Sequence, residues 1–352
     1  MIVPDAFVAG LHVRWDGVRQ RPHHLLSRLA RHVPVVVVEE PSGAAHDRDD
    51  VRREGNVTIV RPLRRRGWST PLVDDAAIAT ARAHLPGGRT GAWLYTPMML
   101  ELLDAFAAAP IVADVMDDLA NFDFAPPGMR AREAELLARA DVVFAGGRTL
   151  YERRRSASAN IYCYPSGVEI ERFAVRTGPH PLTAMLRGPV FAYVGVIDER
   201  LDYALVAALA DAFPDGHVVL AGPVVKVDAR RLPQRPNVHY TLHVPYASLP
   251  SLLAGVDVGL MPFARNRATA SISPTKTLEY FAAGLPVVST PIADVVSDYD
   301  GIAYIAADAP AFVAAARAAL DAPAERLARG LERAREQTWD AIFARMWAHI
   351  TG

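Results

Sequence analysis

One lysine marks the chemistry of this chain. Of its 38 lysine and arginine residues, only Lys226 and Lys276 are lysines. Lys276 lies in the run S-I-S-P-T-K-T-L-E-Y-F-A-A-G-L-P-V-V-S-T-P at residues 271–291. Ser273 followed by Pro274 reads as a helix start, with a hydroxyl at N-cap and proline at the first helical position. Gly284 reads as the residue just past the helix end, and 286–290 as a buried strand. Lys276 then falls at about the third helical position. Its charge there opposes the positive end of the helix dipole, and a capping box prefers Glu or Gln. An anion at that helix end removes the conflict, because helix N-termini bind phosphate and a lysine adds a point charge. The plainer alternative is a solvated lysine with a local cost of roughly a few tenths of a kcal/mol.

A second cationic helix start lies near the beginning. The run W-D-G-V-R-Q-R-P-H-H at residues 15–24 places Arg19 and Arg21 just before Pro22, in one loop with Trp15 and Gly17. Two such ends, one in each half of the chain, suggest a cleft for anionic ligands; the alternative is arginines paired to nearby acids. His23 and His24 point apart on a helix and lack a third ligand, so no metal site is expected. Asp117 and Asp118 follow an apolar strand, where they would bind sugar hydroxyls or act as a base, or simply begin a helix. Asp198 and Arg200 stand just after Gly195, as an N-cap and a second phosphate contact. Arg64, Arg65 and Arg66, with Arg61 and Trp68 close by, form a basic loop that is either solvated or in contact with an anionic membrane surface. There is no P-loop, G-x-G-x-x-G, H-E-x-x-H or G-x-S-x-G.

The elements that must hold these residues alternate along the chain. Apolar strands are expected at 33–39, 57–61, 92–95, 111–114 and 142–145, with helices around 22–31 and 131–140. Residues 168–189 are rich in glycine and proline without a period and read as a connector. The alternation then restarts, with strands at 190–194, 217–221, 238–240, 258–261 and 302–305 and helices at 201–212, 247–253 and 311–319. Near-continuous apolar strands between helices mean parallel sheets covered on both faces. The expected division is an N-terminal domain at 1–172, a linker at 173–189, a second domain at 190–337 and a terminal helix at 338–352. That helix carries Trp339, Ile342, Phe343, Met346, Trp347 and Ile350 on one face and needs a surface to cover.

At 352 residues, two cores are the natural prior. A net charge of −1 provides no basic excess for nucleic acid. Cys163 is the only cysteine, so no internal disulfide forms, and its setting between two tyrosines suggests a buried structural thiol. No apolar run reaches the ~20 residues needed to span a bilayer. A cytoplasmic protein, peripheral at most to the inner membrane face, is expected.

The run from Pro274 to Pro286 resembles the donor-site signature of nucleotide-sugar glycosyltransferases of the GT-B fold. It is most similar to the large retaining family four, in its bacterial cell-surface-polysaccharide branch. Q-R-P-H-H-L at 20–25, D-V-M-D-D-L-A-N-F at 114–122, P-S-G-V-E-I-E-R-F at 165–173 and Trp339-Asp340 are similar to other landmarks of that branch. The resemblance covers nearly the whole chain. It implies two doubly wound Rossmann-like domains facing a cleft, with the last helix crossing back to the first domain. It also implies transfer of a sugar from a UDP- or GDP-sugar to a glycan or lipid-linked acceptor, with no further cofactor and no metal.

Carried onto this sequence, the resemblance assigns Glu279 to the ribose hydroxyls and Lys276 to the diphosphate. Backbone amides at Thr275 and Thr277 assist, Ser273 lies at the helix start, and the base packs near Val244. Two positions depart from the family pattern. Ser271 stands where an earlier glutamate usually meets the donor sugar. Val196 stands where an arginine often follows Gly195, leaving Arg200 as an approximate substitute for a nearby lysine. Retention follows from same-face attack, with the leaving phosphate taking the acceptor's proton; inversion would need Asp117 or Asp118 as base. Rival readings are a nucleotide-sugar epimerase and a catalytically silent nucleotide-sugar-binding subunit.

Overall fold

The computed structural model describes residues 3–65, 72–123, 125–175, 177–225 and 227–352. The chain forms two compact units. One runs to Pro165 and takes in Trp339–Gly352; the other is Ser166–Thr338.

The first unit is built on β1 (Ala6–Leu11), β2 (Val35–Glu39), β3 (Ser42–Gly43), β4 (Arg48–Glu54), β5 (Val57–Arg64), β6 (Thr90–Leu94), β7 (Ile111–Val115), β8 (Val142–Ala145) and β9 (Ile161–Cys163). Their order is β3-β5-β2-β1-β6-β7-β8-β9, all parallel, with β4 antiparallel to β5. Both faces of the sheet are covered, as the valine-rich strands required. Val8, Val36, Val38 and Ala92 enter one apolar cluster, while Phe7, Val35, Val37 and Trp93 enter another. Successive side chains of a strand point to opposite faces, so continuous apolar runs fill both.

The terminal helix covers one of those faces. It runs Trp339–Thr351, and Trp339, Ile342, Phe343, Met346 and Ile350 are buried in the cluster with Phe7 and Trp93. Trp347 is half-buried against the same cluster. The helix is pinned to the Arg21–Leu29 helix by Arg28 Nη2 donating to Asp340 Oδ2 at 2.6 Å, and by His24 stacked on Trp339 at 4.7 Å.

The second unit holds β10 (Val190–Val194), β11 (His217–Ala221), β12 (Val238–Thr241), β13 (Val258–Met261), β14 (Val287–Ser289) and β15 (Tyr304–Ile305), in the parallel order β12-β11-β10-β13-β14-β15. The order turns between β10 and β13, and ligands of such sheets bind outside the strand carboxyl ends at that turn. Residues 168–189 belong to this unit and include the short helices Ile170–Phe173 and Pro181–Ala184, with Val168 and Phe173 buried in its core.

Several elements went unread in the sequence, among them β3, β4, β9 and the helices Asp75–Ala83, Arg148–Arg154 and Ala293–Tyr299. β4, R-D-D-V-R-R-E, has no apolar pattern and is held by β5 alone. The helix Asp75–Ala83 is capped by Asp74, whose carboxylate accepts from the Ala77 amide.

Candidate active site

The Lys276 helix is shorter than its sequence promised. It spans Lys276–Ala282, with Thr275 at N-cap in helical geometry and no side-chain cap, so Ser273 does not cap it. Tight i→i+3 bonds, Thr277 N–H to Pro274 O and Leu278 N–H to Thr275 O, wind the chain ahead of it. The Thr277 amide is therefore already engaged. The helix ends as expected at Gly284, φ +77°, with the Leu285 amide on Tyr280 O and the Gly284 amide on Phe281 O.

Lys276 stands at the first helical position, and its partner is internal. Its Nζ lies 2.6 Å from Glu279 Oε2, so the anion that the dipole argument called for is supplied by this carboxylate. Glu279 is 1% exposed, and burial pushes its carboxyl above the usual range, with Lys276 opposing the shift. Glu279 Oε1 has no hydrogen-bond partner. The same holds for the buried hydroxyls of Ser271, Thr277 and Thr290, all on the segment from the end of β13 to just past β14. An orphaned buried polar group costs about 1–3 kcal/mol. A hydroxyl-rich ligand would relieve that cost.

Neighbouring elements brace the helix. The Tyr280 hydroxyl accepts from the Val194 amide at 2.8 Å, tying the helix to the end of β10. Tyr246, in the turn after β12, faces the Arg172 guanidinium at 5.1 Å and Lys276 Nζ at 5.9 Å, with Phe173 edge-on at 5.8 Å. Val244, assigned to the base, is half-buried and packs against the unit's core close to that turn. Gly195 closes β10 at φ +154° and Gly222 closes β11 at φ +153°. A Cβ on Gly222 would lie 1.9 Å from the Gly195 carbonyl oxygen, so these strand ends approach only without it.

Asp198 does not cap the next helix. That role falls to Asp202, whose carboxylate accepts from Ala204 and Leu205 on the helix Tyr203–Ala212. Asp198 instead grips Arg200 with both oxygens, Oδ1 2.9 Å from Nε and Oδ2 2.8 Å from Nη2.

In the first unit the cations turn inward. Arg21 is 2% exposed; its Nε donates to Asp114 Oδ1 at 2.8 Å and its Nη1 to Tyr164 O at 2.6 Å. Burial raises the Asp114 carboxyl, with Arg21 opposing. Arg21 therefore serves the core rather than an external anion; Arg19 is half-buried in the same loop. Trp15 is buried, its amide on Glu39 Oε1 and its indole on Glu54 Oε2, and the Gly17 amide closes a turn on Arg14 O. Asp118 is buried between Arg154 at 3.1 Å and Arg153 at 3.3 Å, whereas Asp117 is half-buried. His23 completes a cap with Gln20, and burial holds its imidazole below the usual pKa. Among the described residues no group of three or more His, Cys, Asp or Glu side chains is placed to hold a metal ion.

The basic loop is only partly free. Arg61 is bound to Glu39 and Asp16, and Arg64 to Asp49 and Asp74. Arg65 is exposed, while Arg66 and Trp68 lie outside the described residues. Among the described residues no helix is long and apolar enough to cross a membrane.

Residues 188–322 match the family model described as glycosyl transferases group 1. Over 298 residues the chain is 24% identical to the putative teichuronic acid biosynthesis glycosyltransferase TuaH of Bacillus subtilis, covering 78% of this chain and 74% of that protein. Its fold is similar to that of sucrose-phosphate synthase from Thermosynechococcus elongatus, with a TM-score of 0.75 at 15% identity over 98% of both chains. A trehalose-6-phosphate protein from E. coli, bound with UDP-2-fluoro glucose, is similar at a TM-score of 0.69 and 15% identity, over 98% of this chain and 99% of that one. Two doubly wound parallel sheets, a half-buried lysine paired with a buried glutamate at the second sheet's carboxyl edge, and these likenesses agree: residues 188–322 match the group 1 glycosyl transferases, the chain is similar to TuaH, and its two-sheet fold is that of the sucrose-phosphate synthase named above.

Proposed function

We propose that this glycosyltransferase moves a sugar from a nucleotide diphosphate-sugar to a glycan or lipid-linked acceptor in cell-surface polysaccharide synthesis, with retention and without a metal. The carrying observation is Glu279, a buried carboxylate with one oxygen on Lys276 and the other unpartnered. Ribose hydroxyls are donors of the right kind for that second oxygen. The Escherichia coli relative bound with a UDP-sugar analogue supports a nucleotide-sugar donor, and the teichuronic acid role in the name of TuaH supports a polysaccharide product.

The demanding step is departure of the diphosphate from the anomeric carbon. Positive charge fixed where negative charge develops lowers that barrier, and one such contact is worth ~10²–10³ in rate. Lys276 and Arg200 are the cations first assigned to that task. In the retaining course the phosphate takes the acceptor's proton as the new bond forms on the same face. Both oxygens of Asp118 are occupied, one by Arg154 and the other by Arg153, which favours this course over a side-chain base.

Isothermal titration with UDP and GDP, paired with a donor-hydrolysis assay, tests the reading. Micromolar binding of one nucleotide and slow release of free sugar are expected. No binding of either nucleotide, or conversion of the donor to an epimer without hydrolysis, overturns it.

A further inference from the structure

The proposed reaction needs positive charge free to meet a diphosphate, and the two cations assigned to it above each already hold a carboxylate. Arg200 is held by Asp198 through both carboxylate oxygens, and Lys276 by Glu279 at 2.6 Å. A donor diphosphate brings a negative charge on each of its phosphates.

Two further cations stand on the segment between β13 and the Lys276 helix. Arg265 and Arg267 are exposed, and among the described residues neither guanidinium makes an ion pair, a hydrogen bond or a ring contact. Residues 262–275 contain no acid. The loop between them is firmly built. The Asn266 amide donates to Thr269 Oγ1 at 3.1 Å, and the Thr269 amide returns to Asn266 Oδ1 at 3.1 Å. The Thr269 hydroxyl also donates to Ala264 O.

This loop is fastened to the Arg200 segment. The Ala264 amide donates to Arg200 O at 2.8 Å, and Asn266 Nδ2 donates to Glu199 O at 2.8 Å. Leu201 and Phe263 form an antiparallel bridge beside them. Arg265 and Arg267 therefore flank Asn266 at the point where the strand order turns between β10 and β13. The carboxylate of Glu199 pairs with neither.

Resting on the nucleotide-sugar reading above, we propose that Arg265 and Arg267 form a clamp on the donor diphosphate and supply the net positive charge that the two neutral pairs do not. As the anomeric C–O bond breaks, its electron pair passes to the terminal phosphate. The acceptor hydroxyl forms the new bond, and its proton goes to that phosphate. The arginines stay protonated and hydrogen-bond the phosphate oxygens throughout.

The test is UDP affinity, and GDP in parallel, for the parent, R265A, R267A, the double alanine variant and the double lysine variant, at low and high salt. Circular dichroism melts confirm folding. Each single alanine is expected to weaken binding about tenfold, the loss of one charge-assisted contact, and the pair about 10²-fold. The double lysine variant should recover part of the loss. The double alanine variant should also lose much of the parent's salt dependence, because the screened attraction is gone. Unchanged affinity in the double alanine variant refutes the clamp and leaves the nucleotide-sugar reading standing. Weaker binding with the parent's salt dependence intact also refutes it, by assigning the arginines to loop structure. A parent that binds neither nucleotide overturns the donor reading, and the clamp with it.

Discussion

Glu279 and Lys276, paired at 2.6 Å within one helical turn, are the residues on which the proposed donor site rests. Glu279→Gln should raise the donor KM more than it lowers kcat, because hydroxyl contacts made equally in ground and transition states are uniform binding. Initial rates over a donor series measure the split, and a kcat loss at constant KM would place Glu279 in the chemistry. Lys276→Ala should slow turnover by ~10²-fold or more. It should also shift the pH profile. Burial already raises the Glu279 carboxyl and Lys276 restrains that rise. Without the lysine the neutral form gains, so the acid limb of kcat/KM should move to higher pH; an unmoved limb would deny that Glu279 must be ionised. Sequence made the lysine conspicuous through its rarity, yet it hid its partner's oxygen count and the fate of Arg21. Arg21 looked like a phosphate ligand beside Pro22, but its carboxylate partner Asp114 lies 93 positions away. Local spacing cannot reveal such a pair.

Strands and helices were legible where burial dictated their composition. Val35–Glu39 and Val142–Ala145 are buried along their whole length, so their apolar runs announced them. β4 was silent because its register comes from β5 and from exposed ion pairs such as Arg52 with Asp16, none of which leaves a period in the sequence. Ser273 misled as a cap because the turn at Pro274 tightened and moved the helix start to Lys276. At the terminal helix, Asp340 joins Arg28 and Arg31, and the hydrogen bond from Arg28 chiefly lowers its carboxyl below 3.8. A lowered acid stabilises the fold at pH values above its unfolded pKa and loses that contribution as pH falls through its folded pKa. Asp340→Asn should therefore lower the melting temperature at pH 7 and lose its effect in strong acid. The Asp340 side chain is 60% exposed, so solvent screening keeps the cost to about 1 kcal/mol or less. An equal deficit at pH 7 and pH 2 would exclude this ion pair as its source.

The whole molecule sets terms that no single element does. Activity should survive EDTA if arginine and lysine neutralise the diphosphate; loss on chelation with recovery on adding magnesium or manganese would reopen Asp117 and Asp118 as ligands. The first sheet cannot be finished from its own stretch of chain, since Trp339, Ile342, Phe343, Met346 and Ile350 cover one of its faces. A chain ending at residue 338 should expose that face. Limited proteolysis should then cut the first unit readily while the second unit still binds nucleotide; equal resistance in both units would show the helix to be dispensable. The two ends of the second unit run side by side, with the Val168 amide on Gln337 O and Gln337 Nε2 donating to Ser166 O, each at 3.0 Å. During synthesis, at roughly 5–20 residues per second, domains fold as they emerge. Here the unit made first must wait, one face bare, until the last helix leaves the ribosome, so the unit translated second is the first that can be completed. For this chain the order of birth and the order of maturity are reversed, and the nascent first sheet is the stage at which a chaperone would be needed most.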